Sequence, residues 1–62
     1  MPYQLRYYRV YQGYTQQQVA DYLGVARSTY TLYELGKRQA PPSVLAQLAD
    51  FYHVSIDSLM GR

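Results

Sequence analysis

The chain has 62 residues, six Lys or Arg against four Asp or Glu, a net charge of +2, no cysteine, and nine tyrosines without a tryptophan. That length suits one small domain, residues 1–62, with a thin core, because a chain of about 60 residues buries only about 60% of the surface it exposes when unfolded. Such a core leaves no room for a deep catalytic cavity, the lack of cysteine rules out disulfides and thiolate metal sites, and no run approaches the ~18 apolar residues of a membrane span.

The start, MPYQLRYYRV, has no apolar stretch of the kind a secretory signal needs, so a cytoplasmic protein is expected. The first predicted helix covers residues 2–12. Pro2 suits a first helical turn, where its missing N–H costs nothing, Leu5 and Tyr8 share an inner face, and Tyr3, Tyr7 and Tyr11 form a second row at i, i+4, i+8. Such a row reads as an exposed aromatic surface open to a partner. The second helix is expected over 16–23, opened by Thr15 and Gln18 in the capping-box pattern, with Val19, Ala20 and Leu23 turned inward. Gly13, Gly24, Gly36 and Gly61 each follow an apolar-periodic segment, where a left-handed residue ends a helix.

The third helix is expected over 27–35, with Tyr30 and Tyr33 on its inner face and Ala26 where a capping Ser or Thr is preferred. The following KRQAPP reads as a polar linker whose proline end is not helical. A fourth helix over 43–52 carries Val44, Leu45, Leu48, Ala49 and Tyr52 at helical spacing, and His53 sits at its C-terminus as a cap. A short fifth helix has Ser55 as N-cap, Asp57 in its first turn, and Ile56, Leu59 and Met60 as its apolar residues. Nothing alternates with period two, so the fold class is all-α, with five short helices.

The second and third helices are separated by only a few residues around Gly24-Val25. A turn that short makes two helices cross steeply, which needs a small residue at the crossing (Ala20), a residue free to adopt positive φ (Gly24), and apolar side chains filling the corner (Val19, Leu23, Val25, Tyr30, Tyr33). The corner then displays the outer flank of the third helix: Arg27, Ser28, Thr31 and Leu32. Three of the six basic residues, Arg27, Lys37 and Arg38, fall on or just after it. An arginine at that helix start can donate two hydrogen bonds to guanine O6 and N7, which is worth about 1–3 kcal/mol of discrimination. Ser28 and Thr31 read or position more softly, while Leu32 suits only a thymine methyl or a sugar.

TQQQVADYLGVARSTYTLYELGKR resembles the helix-turn-helix of the phage repressor-like transcription regulators, the xenobiotic-response-element group. That family has Thr-Gln at the start of its second helix, then Ala, then Leu-Gly-Val, then a Tyr-Glu-x-Gly-Lys-Arg ending. LRYYRVYQGYTQ resembles the family's first helix and turn, and LADFYHVSIDSLMG its fourth and fifth helices. The resemblance implies a lambda-repressor-like DNA-binding domain, with the motif at about 16–35. It implies a transcriptional regulator, a repressor, that docks the third helix into the major groove of double-stranded DNA as a homodimer. Gln16, Gln17 and the amides beside them would grip one phosphate, Thr29 is a second candidate, and Lys37 and Arg38 would hold the backbone further along. Where relatives place a polar residue, this chain has Leu32. Arg9 and Glu34 match the family's ion pair between the first helix and the end of the third, and the fifth helix, with Ile56, Leu59 and Met60, is the expected dimer surface.

A lone histidine without cysteine makes no metal site, and neither a Ser-His-Asp arrangement nor a glycine-rich phosphate loop is present. No cofactor and no enzymatic activity are expected. A rival of another class is a protein-interaction module on the same scaffold, antitoxin-like or an antirepressor partner, to which Leu32, Leu35 and the tyrosine row would contribute apolar surface.

Overall fold

Thr15 opens the second helix with a complete capping box: its hydroxyl accepts from Gln18 N at 3.1 Å, and Gln18 Oε1 accepts from Thr15 N at 2.8 Å. The helix closes at Gly24, whose φ of 75° is left-handed, with Gly24 N donating to Asp21 O and Val25 N to Ala20 O. A Cβ on Gly24 would meet no atom within 4 Å, so glycine is needed there for its backbone freedom and not for space. In this computed structural model, which describes residues 4–61, the chain forms α1 (Leu5–Tyr11), α2 (Gln16–Leu23), α3 (Arg27–Leu35), α4 (Pro42–Tyr52) and α5 (Ile56–Leu59). No strand occurs among the described residues. The expectation for Pro2 lies outside them, and α1 starts at Leu5 with Gln4 at its N-cap.

The α2–α3 pair is the most extensive helix contact, and its crossing is built on a fully buried Ala20 beside Val19, Tyr30 and Tyr33. Leu5 from α1, Leu45 and Leu48 from α4 and Leu59 from α5 complete the same core. Burial of this kind is worth roughly 1.5–3 kcal/mol for a large apolar side chain.

Several expectations need correction. The KRQAPP segment does not stay outside the helix: Pro42 is the first residue of α4, where a missing N–H and a fixed φ are favourable. Within the same segment Ala40 is buried in the core, so the linker is tied down rather than a free spacer. Leu59 is fully buried and cannot contribute to a dimer surface on α5, which leaves Ile56 exposed and Met60 half-buried. The cause is the short helix itself: one turn has a single inward position, and Leu59 takes it. Its carbonyl also accepts from Gln4 N at 2.6 Å, tying the chain's beginning to α5. His53 ends α4 with φ 59° and ψ 45°, the left-handed cap usually given to glycine.

Tyr30 and Tyr52 are both fully buried, and their hydroxyls pair with each other at 3.2 Å, which answers the need of a buried phenol for a partner. Tyr8 stacks on Tyr52 with ring centroids 6.2 Å apart, and Phe51 lies between Tyr14 and Tyr22 at 4.6 Å from each. Burial pushes both the Tyr30 and the Tyr52 hydroxyls above the ordinary phenol value of 10.0. In the unfolded chain these phenols ionise near pH 10, while the folded protein keeps their protons. Stability is therefore untouched by this pair up to about pH 9 and falls as pH rises through 10 and beyond. Urea titrations between pH 8 and 11.5 should show that decline, and the Tyr30→Phe, Tyr52→Phe double variant should make it shallower.

Candidate nucleic-acid interface

α3 begins at Arg27 without a side-chain cap, since Ala26 has no oxygen to offer. Its first-turn amides and the positive end of its dipole therefore face outward beside a cation, an arrangement completed only by an external anion or acceptor. Arg27 and Ser28 are exposed, while Thr29, Thr31 and Leu32 are half-buried. At the far end Gly36 (φ 73°) turns the chain so that the amides of Lys37 and Arg38 both donate to Leu32 O, at 3.0 and 3.3 Å. That fixes the backbone of the two basic residues and leaves both side chains exposed.

α2 brings its own N-terminus to the same corner. The capping box uses the amides of Thr15 and Gln18, so the amides of Gln16 and Gln17 are the two at this end that neither the box nor the helix ladder employs. Gln17 is exposed, and its Nε2 donates to Asp21 Oδ1 at 2.8 Å, one turn on. Gln16 turns inward: its Nε2 donates to Glu34 Oε1 at 3.3 Å, and its Oε1 accepts from Thr31 Oγ1 at 2.9 Å. One N–H of its amide remains free for a phosphate.

Glu34 is the centre of this arrangement. Arg9 Nε donates to Glu34 Oε2 at 2.6 Å, Arg9 Nη2 to Oε1 at 3.3 Å, and Arg9 Nη1 to Tyr14 O at 3.0 Å. The side chains are 13% and 3% exposed for Arg9 and Glu34. Donating to the Glu34 carboxylate raises the Arg9 guanidinium above its already high range. Arg9, Glu34, Gln16 and Thr31 thus form one polar network joining α1, the end of α3, the start of α2 and the middle of α3. The role of Gln16 in it is not visible in the sequence, where a glutamine at a helix start looks solvated. Gln12 is similar: its Nε2 donates to Tyr52 O at 2.9 Å and ties the end of α1 to the end of α4.

On the outer face of α1, Tyr7 and Tyr11 stack at 6.0 Å and are both exposed; with Arg6 and Val10 they line an open groove of about 450 Å³. Tyr3 lies outside the described residues. Among the described residues no three His, Cys, Asp or Glu gather as a metal site would require, and no helix is long and apolar enough to cross a membrane.

The profile of one protein family, described as helix-turn-helix, matches residues 5–59. The chain belongs to the helix-turn-helix family. It is 44% identical over 50 residues to the HTH-type transcriptional regulator AnsR of Bacillus subtilis, covering 81% of this chain and 43% of that protein. The SPbeta prophage-derived regulator YonR of the same organism is 40% identical over 52 residues, covering 84% and 48% respectively. The cryptic phage CTXphi transcriptional repressor RstR of Vibrio cholerae is 40% identical over 48 residues, 77% of this chain and 43% of the repressor. The chain spans less than half the length of these relatives. No solved structure matches significantly. In helix-turn-helix terms, α2 is the supporting helix and α3 the recognition helix, and the five-helix arrangement is of the lambda-repressor-like kind.

Because the Glu34 carboxylate is buried and shared by two donors, its loss is expected to be severe. Glu34→Ala leaves the Arg9 guanidinium unpaired in a mostly buried setting, and removing one partner of a buried pair costs about 3–5 kcal/mol. Chemical denaturation should show a loss in that range, against well under 1 kcal/mol for the exposed Gln17→Ala.

Proposed function

We propose that this helix-turn-helix domain binds double-stranded DNA sequence-specifically and serves a transcriptional regulator, a repressor, by inserting the N-terminal half of α3 into the major groove. The observation that carries this reading is the Arg27 flank. It is exposed at an uncapped helix start, presented by a corner that buries Val19, Ala20, Tyr30 and Tyr33, and bracketed by the free amides of α2 and the paired cations Lys37 and Arg38.

In this reading Arg27 donates to guanine O6 and N7, and Ser28 makes the neighbouring contact. Leu32, half-buried, touches a thymine methyl. Gln16, Gln17, Thr29, Lys37 and Arg38 hold phosphates, which fix register but carry little sequence information. One such helix reads few bases, so two copies would act together on a near-palindromic site, with half-site centres about 34 Å apart. The domain itself is non-catalytic and needs no cofactor, residues 1–62 act as one unit, and the site of action is the cytoplasm. A protein-interaction module is the second reading, favoured by the Tyr7–Tyr11 groove on α1, which lies off the α2–α3 corner.

Selection of bound duplexes from a random pool, followed by titration at several salt concentrations, tests the proposal. A protomer neutralising about four phosphates should show a log–log slope near −3.6, whereas an apolar protein interface would be almost flat and no duplex would be selected. Arg27→Ala should erase the preference for the selected duplex over random DNA while leaving weak general binding. Lys37→Ala with Arg38→Ala should weaken binding to all duplexes about equally and make the slope shallower by about 2.

A further inference from the structure

Thr31 has one hydroxyl proton, and two acceptors inside the protein compete for it: Gln16 Oε1 and the Arg27 carbonyl, each at 2.9 Å. The facing of the Gln16 amide is decided at its other end. A carboxylate only accepts, and Glu34 Oε1 lies 3.3 Å away, so Nε2 must face Glu34 and Oε1 must face Thr31. The reversed amide would set two acceptor oxygens against each other at Glu34. Glu34 is in turn clamped by two nitrogens of Arg9. Donors and acceptors therefore alternate in one direction, from Arg9 through Glu34 and Gln16 to Thr31, and the proton of Thr31 is spent within the protein whichever of its two acceptors takes it.

We propose that this relay fixes the hydrogen-bond polarity of Thr31, so that it meets DNA as an acceptor only and selects a base bearing an amino group, adenine or cytosine, at the position it faces. The inference rests on the DNA-binding reading above. In the major groove adenine and cytosine offer N6 and N4 amino donors, while guanine and thymine offer O6 and O4 acceptors at the corresponding places, and an unconstrained threonine reads either kind. Thr31 lies one turn after Arg27 on the same flank of α3, so its base pair adjoins the one Arg27 reads. The same polarity removes Thr31 from the phosphate contacts, because a phosphate oxygen also only accepts.

The test uses the duplex selected from the random pool and its full set of single base-pair replacements, with binding measured for the unaltered chain, Thr31→Val, Thr31→Ser and Gln16→Ala. The unaltered chain should prefer A or C over G or T about 3- to 10-fold at one base pair next to the Arg27 guanine, the discrimination that one hydrogen bond supplies. Thr31→Val should abolish that preference at that pair alone, and Thr31→Ser should keep it. Gln16→Ala, which removes one of the two acceptors of the Thr31 proton and leaves the Arg27 carbonyl as the other, should shrink the preference without abolishing it, while lowering affinity elsewhere uniformly. A keto preference there, a Thr31→Val loss equal on every duplex, or an amino preference untouched by Thr31→Val and Gln16→Ala overturns the inference and leaves the DNA-binding reading standing. Failure to select any duplex overturns both.

Discussion

Glu34 is the constraint on which the rest of this structure depends. Its carboxylate lies nearly buried at the last turn of α3, where an unpaired charge would be costly, and everything around it is arranged to meet that cost. Arg9 reaches it from α1 with two nitrogens and uses its third on the Tyr14 carbonyl. Gln16 reaches it from the start of α2. Three helices that share few other polar contacts are thus oriented by one side chain, and the most consequential of them, α3, cannot rotate about its axis without breaking the bonds that Arg9 and Gln16 make to Glu34. An apolar core alone would hold the helices together more loosely in angle, since hydrophobic contacts are non-directional.

That angular fixing explains how so small a protein can display a precise outer surface. Its core is thin and rich in tyrosine, and the Tyr30–Tyr52 hydroxyl pair adds a directional bond within it. Both devices, the carboxylate node and the phenol pair, place polar bonds inside the molecule and keep every partner satisfied: no buried side-chain nitrogen or oxygen among the described residues lacks a hydrogen bond. The result is a corner held by directional bonds, with the start of α3 uncapped and Arg27 exposed.

The network also links scaffold to recognition. Gln16 bridges the buried Glu34 carboxylate and the Thr31 hydroxyl, so on the proposed reading the orientation imposed by Arg9 is passed outward as a choice of donor or acceptor. The groove on α1 takes no part in this. It is apolar and stacked, and it stands as a separate surface feature of the same small domain.

What the sequence determined by itself is local. The α2 and α3 spans, 16–23 and 27–35, the Thr15–Gln18 capping box, the turn at Gly24 and the cap at His53 all follow from residues within one helical turn of each other, because caps and glycine conformations are governed by adjacent backbone groups. The Arg9–Glu34 pair, with partners 25 residues apart, could be anticipated only through the family resemblance. Tertiary structure decided the rest: that Gln16 turns inward, that Ala40 and Leu59 are core, that Pro42 begins a helix, and that Tyr30 and Tyr52 bury their hydroxyls against each other. Each of these depends on which side chains from distant segments meet in three dimensions, and hydrogen-bond partners and burial are properties of that meeting rather than of any stretch of chain.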